Sequence, residues 1–141
     1  MQSVDVNVLL YAVNSSSQHH DAASRLLTTL VSNPERVAIL PMVALGFLRV
    51  ATDPRILERP LASADALGFL HSVTAYPHVA ITQPAPSHIT VFEQLFTRHR
   101  PVGPDITDVY LAACAIDMGA SWWSFDRAFE RFVDLDWKLP T

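Results

Sequence analysis

Apolar positions along this chain follow two rhythms. Short runs rich in branched and aromatic residues, Ser3–Val6, Val37–Leu40 and Ala120–Ser124, read as strands buried on both faces. Between them, apolar residues recur at three- and four-residue spacing, as in Ala22, Ala23, Leu26, Leu27, Leu30 and Val31 of a helix from His19 to about Ser32. The same spacing predicts helices at Val8–Ala12, capped by Asn7, and from Pro41 to about Thr52. Further helices run from Ala64 to about Ser72, capped by Ser63, and from Pro86 to Arg98. The most apolar one runs from Asp108, capped by Thr107, to Met118, with Gly119 as its stop. Val79–Ile81 reads as a weak strand, Arg127–Phe132 as a short helix, and the region of Trp137 as a last extended piece. Ile56–Leu61 reads as a flexible loop.

Strands that alternate with helices call for right-handed crossovers and a mainly parallel sheet, hence a three-layer α/β/α sandwich. At 141 residues a single domain, 1–141, is expected. Half of the chain is apolar and only 17% is charged, which suggests a surface shared with a copy of itself or with another protein. No apolar run is long enough for a bilayer span, and Met1–Asp5 lacks the basic start of a secretion signal. A lone cysteine, Cys114, excludes an internal disulfide and a multi-cysteine zinc site. The expectation is a cytoplasmic protein. A net charge of −4 argues against a broad basic face that grips nucleic acid. It leaves room for an RNA-acting enzyme that uses a cation and a few arginines. Arg49, Arg55 and Arg127 are the candidates for phosphate contacts, Arg127 also for pairing with an acid, with simple surface solvation as the alternative for each.

The informative residues are acids that interrupt apolar surroundings. Asp5 lies within a strand, Asp108 opens the most apolar helix, and Asp126 follows Trp122-Trp123-Ser124-Phe125 at a strand end. A carboxylate near a core costs several kcal/mol unless it has a partner, roughly what a small domain has to spare. Asp108 also suits the dipole at a helix start, and Asp126 also suits a helix cap. Asp5 has no comparable structural use. Strand ends at the carboxyl edge of an open α/β sheet form the usual ligand crevice, where a crossover fold can gather these three. Three like charges without a nearby base need a cation. Oxygen donors without Cys or His favour Mg²⁺ or Mn²⁺. Trp122 and Trp123 read as core residues, and His19 and His20 as exposed residues at a helix start.

The same residues carry a family likeness. Val4-Asp5-Val6-Asn7-Val8-Leu9-Leu10-Tyr11-Ala12 resembles the first motif of PIN-domain nucleases, in particular VapC-type toxins of bacterial toxin–antitoxin pairs. Thr107-Asp108-Val109-Tyr110-Leu111-Ala112-Ala113 resembles their central acidic helix, and Ser124-Phe125-Asp126-Arg127-Ala128-Phe129 their final motif. Leu45 to Arg55 resembles a segment of one branch of these toxins. The resemblance implies a metal-dependent endoribonuclease acting on tRNA, rRNA or mRNA, with Asp5, Asp108 and Asp126 as metal-site acids and Asn7 and Ser124 supporting them. Together with the apolar helical segments Val8–Ala12, Ala22–Val31 and Met42–Val50, it implies a groove for the C-terminal helix of an antitoxin, and the low charged fraction leads to the expectation of a homodimer. Two positions depart from the pattern: Gly46 stands where many relatives have glutamate, and Ala128 where many have a second acid. Asp105 is the candidate substitute. The alternatives are a catalytically weakened PIN-like protein-binding domain and a metal-dependent phosphohydrolase of small molecules.

Overall fold

The computed structural model describes residues 1–141. In chain order the elements are β1 (Gln2–Val4), α1 (Val6–Val13), α2 (His20–Ser32), β2 (Val37–Ile39), α3 (Pro41–Ala51) and α4 (Ser63–Thr74). They continue as β3 (Val79–Ile81), α5 (His88–His99), α6 (Asp105–Met118), β4 (Ser121–Trp123), a 3-10 helix (Arg127–Arg131) and β5 (Trp137–Lys138). The strands form one sheet in the order β3-β2-β1-β4-β5, and every pairing is parallel. The segments near Ile81 and Trp137 are therefore full members of the sheet, at its two edges.

Handedness fixes the layers. The chain steps from β1 to β2 to β3 in one direction, then returns across the sheet to β4. Right-handed crossovers put α1–α4 on one face and α5–α6 on the other. The packing agrees, since α1 meets α2 and α3, α3 meets α4, and α5 meets α6. One core joins the layers, with Val4, Leu9, Ile39, Phe47, Val109, Trp122 and Phe129 essentially without exposure. The alanines of α6, Ala112, Ala113 and Ala115, are all buried and allow that helix to lie close to the sheet.

Several helix starts differ from the pattern-based expectation. The β1 strand stops at Val4, and Asp5 rather than Asn7 caps α1 by accepting the Val6 N–H at 2.7 Å. The shift is physical: a carboxylate that accepts from the first-turn amides ends the strand at once. The α6 helix begins at Asp105, after Pro104, so Thr107 is not its cap and Asp105 is not in a loop. Proline needs no N–H partner, so the helix extends a turn further back than apolar spacing reveals. Likewise α4 is preceded by Ala62, and Ser63 is its first residue. His19 and His20 are half-buried, not exposed: His19 packs against Tyr11 and Phe125, and His20 Nδ1 donates to the Tyr11 carbonyl at 2.9 Å. No helix is long and apolar enough to cross a membrane.

Candidate active site

Strand connections leave β1 toward one sheet edge and β4 toward the other, so the gap between these neighbours is the topological switch point of the sheet. Asp5 follows β1 directly, and Ser124 and Asp126 follow β4. The first turn of α6, which carries Asp105 and Asp108, completes the site.

Asp5 is the most buried of these acids, with 8% of its surface exposed. Its backbone N–H continues the sheet to the Trp123 carbonyl at 2.9 Å. One carboxylate oxygen accepts from the Val6 N–H, and the other accepts from Ser124 Oγ at 2.6 Å and Asn7 Nδ2 at 3.0 Å. The Asn7 amide also bonds Ser124 Oγ at 3.0 Å, and its carbonyl oxygen accepts the Phe125 N–H at 3.2 Å. Ser124 Oγ accepts the Asp126 N–H at 3.0 Å. Asp126 in turn caps the 3-10 helix by accepting the Ala128 N–H at 2.8 Å. Two motifs at opposite ends of the chain are thus tied by one hydrogen-bonded web.

Burial pushes the Asp5 carboxyl up to about 6, and the charges of Asp108 and Asp126 push the same way against the pull of Ser124 and Val6. Burial also raises the Asp108 carboxyl, helped by Asp126 and Asp105, while Arg131 opposes. Asp5 therefore feels the charges of Asp108 and Asp126, and Asp108 feels that of Asp126. The expectation that no base lies among them fails in one respect: Arg131 Nη2 stands 3.6 Å from Asp105 Oδ1 and 3.9 Å from Asp108 Oδ2. Its guanidinium lies over the Phe132 ring, 4.6 Å from the centroid. Sequence spacing gave no sign of this, because 23 positions and a strand separate Arg131 from Asp108.

The other arginines stand apart. Arg55 makes a two-pronged pair with its neighbour Asp53, at 3.1 and 3.0 Å, and Arg49 ends α3 with its charge toward Asp53. Arg127 is exposed at the start of the 3-10 helix, beside Asp126. A recess of about 420 Å³ between α2 and the β4–β5 edge, lined by Arg25, Glu35, Trp123 and Lys138 among others, includes none of Asp5, Asp105, Asp108 and Asp126.

Gly46 has a structural reason. A Cβ there would stand 2.9 Å from Val6 Cγ2, so α3 lies against α1 with no room for a larger residue. The glutamate of the family pattern has no place at this position without movement of Val6.

The donor set is carboxylate oxygen with supporting hydroxyl and amide groups, which suits a hard divalent cation. Raised proton affinities at Asp5 and Asp108 mark charge without full compensation, the condition under which a cation gains most. No three His, Cys, Asp or Glu side chains are grouped closely enough to hold an ion by direct contact. A hard cation held between Asp5, Asp108 and Asp126 would therefore keep several of its own waters.

The PIN-domain pattern matches residues 3–135. The chain belongs to the PIN-domain family. Ribonuclease VapC43 of Mycobacterium tuberculosis is 36% identical over 99% of this chain and 95% of its own length, and ribonuclease VapC37 of the same species is 34% identical over 99% and 97%. Within its family the chain therefore falls in the VapC ribonuclease branch. Solved structures share the fold at low identity. The VapBC2 complex of Rickettsia felis, bound to a fragment of its promoter DNA, superposes with a TM-score of 0.73 at 16% identity, covering 99% of this chain and 98% of that one. VapC20 of M. tuberculosis, a toxin that cleaves the sarcin–ricin loop, gives 0.69 at 15% identity, with coverage of 96% and 98%.

Proposed function

We propose that this protein is the toxin of a type II toxin–antitoxin pair, a metal-dependent endoribonuclease that cuts tRNA, rRNA or mRNA in the cytoplasm. One observation carries the reading: at the switch point Ser124 bonds both Asp5 and the Asp126 amide, so two distant segments are tied there, and the first turn of α6 brings Asp108 near enough for its charge to act on Asp5. The VapC names of its full-length relatives support it.

A bound Mg²⁺ or Mn²⁺ supplies an activated water and neutralises charge on the phosphate. The chain's own residues arrange the rest. Asp5, fixed by Val6, Ser124 and Asn7, presents its remaining lone pairs in one direction. Asp108 adds charge from the α6 terminus. Asp126, exposed and joined to Ser124 through its own N–H, is placed to orient the attacking water. Arg131 is the cation nearest the acids and takes a phosphate oxygen of the substrate, with Arg127 at the same edge. Arg49 and Arg55 remain candidates for more distant phosphates.

The antitoxin is expected to lay a helix on the apolar surface of α1–α3, where Met42 and Leu45 are 43% and 67% exposed. The structural relatives include toxins solved together with their antitoxins, as in VapBC2. A homodimer is part of the same reading.

The wide spacing of the acids and the filled space at Gly46 favour one alternative, a catalytically weakened domain that only binds protein. Incubation of the purified chain with an RNA panel, with and without EDTA, separates the two. Cleavage that EDTA and Asp5→Asn both abolish is the expected result. Intact RNA at every metal concentration overturns the nuclease reading, and cleavage of free nucleotides alone would indicate a phosphohydrolase of small molecules.

A further inference from the structure

At the end of β2, the strand next to β1, lies a recess of about 220 Å³ lined by Leu40, Pro41, Met42, Gln83, Pro84, His88 and Tyr110. We propose that it is the subsite for one unpaired RNA base next to the phosphate that is cut. The proposal rests on the ribonuclease reading and adds to it where the substrate's sequence is felt.

Position comes first. Ser3 pairs with Ala38 across β1 and β2, and continuing that register sets Leu40 beside Asp5, one strand spacing of about 4.8 Å away. Pro41 and Met42 open α3 directly after Leu40, and Gln83 and Pro84 follow β3 at the same sheet edge. The recess therefore lies one strand over from Asp5, on the side away from β4, and its Tyr110 stands two residues after Asp108.

Its chemistry differs from theirs. None of its lining residues is an Asp, Glu, Lys or Arg, so it offers nothing to a phosphate. It is smaller than the roughly 300–1,000 Å³ that suits a drug-sized ligand, a size for one planar base without its sugar. Two prolines, each with a fixed φ, and the Met42 side chain give a firm apolar wall. The aromatic side is fixed as well. His88 Nδ1 donates to the Ala85 carbonyl at 2.5 Å, which leaves Nε2 to accept the Tyr110 hydroxyl at 3.2 Å. The two rings stand edge to face at 5.4 Å and 85°. Gln83, exposed at the rim, carries both a donor and an acceptor for a base edge. Apolar walls with a few placed polar groups are how proteins hold unpaired RNA bases.

The test uses an RNA oligomer that the wild-type protein cuts in a reaction blocked by EDTA and by Asp5→Asn. An abasic site at the nucleotide flanking the cut is expected to raise KM about tenfold or more, the size of one lost base contact. Gln83→Ala and Tyr110→Phe are expected to raise KM on the intact oligomer several-fold, with kcat little changed, and to lose nothing further on the abasic one. Both variants keep the packing of the residue 110 ring against Phe92, and urea unfolding of each separates a stability loss from a KM effect. Normal KM in both variants, or an equal loss on intact and abasic RNA, overturns the subsite while leaving the nuclease intact. Failure of the wild-type protein to cut any RNA overturns the nuclease reading and the subsite with it.

Discussion

The Ser124 hydroxyl donates to Asp5 Oδ2 at 2.6 Å while its oxygen accepts the Asp126 amide at 3.0 Å, so one small side chain couples the first acid of the site to the last. Ser124→Ala removes a donor that holds the Asp5 carboxyl down and leaves a buried oxygen short of a partner. The variant is expected to lose about 1–3 kcal/mol in urea unfolding. The acid limb of its pH–activity profile is expected to move to higher pH, because Asp5 must be ionised to serve a cation. An unmoved limb would show that Ser124 acts only as packing.

Asp5 itself makes stability depend on pH. Its folded carboxyl titrates at about 6 against an ordinary value of 3.8, so the native state holds the proton more tightly than the unfolded chain does. That stabilisation is complete below about pH 4 and is lost as pH rises through 6, a change on the order of 3 kcal/mol. Asp5→Asn abolishes the dependence. In EDTA, the variant should gain on the wild-type protein between about pH 4 and about pH 7.5, as measured by chemical denaturation. Millimolar Mg²⁺ should then restore the wild-type protein at the higher pH and leave the variant unchanged.

Arg131 sits where a metal's positive charge would also be welcome. Arg131→Met frees Asp105 and Asp108 of their only ion-pair partner. Mn²⁺ affinity measured by calorimetry is expected to rise by up to about fivefold, the range of a partly exposed pair. KM for RNA is expected to rise in the same variant. Unchanged metal affinity would count against competition between the guanidinium and the ion.

Gly46 should reverse a familiar trend. Glycine to alanine within a helix ordinarily gains about 0.8–1 kcal/mol. Here the added methyl meets Val6 Cγ2, so Gly46→Ala is expected to cost about 1–3 kcal/mol in thermal unfolding. Val6→Ala in the same chain should recover most of that loss. The double variant Val6→Ala, Gly46→Glu then tests whether a fourth acid tightens cation binding.

Arg100 ends α5 at φ 47, the left-handed region, where its side chain is costly. Arg100→Gly is expected to raise the melting free energy by about 0.5–1 kcal/mol. A loss instead would mean that the arginine side chain holds the neighbouring loop.

The layered α/β architecture was legible because alternating apolar rhythms and right-handed crossovers leave few arrangements. The positions of Asp5 and Asp126 after strands were legible too, because each interrupts an apolar run, although both also turned out to cap helices. What spacing concealed was the register of helix starts. Asp5 both caps α1 and faces the site, and Pro104 moves α6 back by three residues, so Asp105 joins Asp108 in one turn. Arg131 escaped because it reaches the acids through space alone. The half-buried state of His19 escaped for the same reason, since its partner Phe125 lies at the far end of the chain.

Strand β4 is inserted between β1 and β5 after most of the chain has already been used. A growing polypeptide that lacks everything from Ser121 onward has Asp5 and Asp108 but no Ser124 to hold the one and no Asp126 to accompany them. On the proposed reading, the site of such a nascent chain stays incomplete until the last strands have been made.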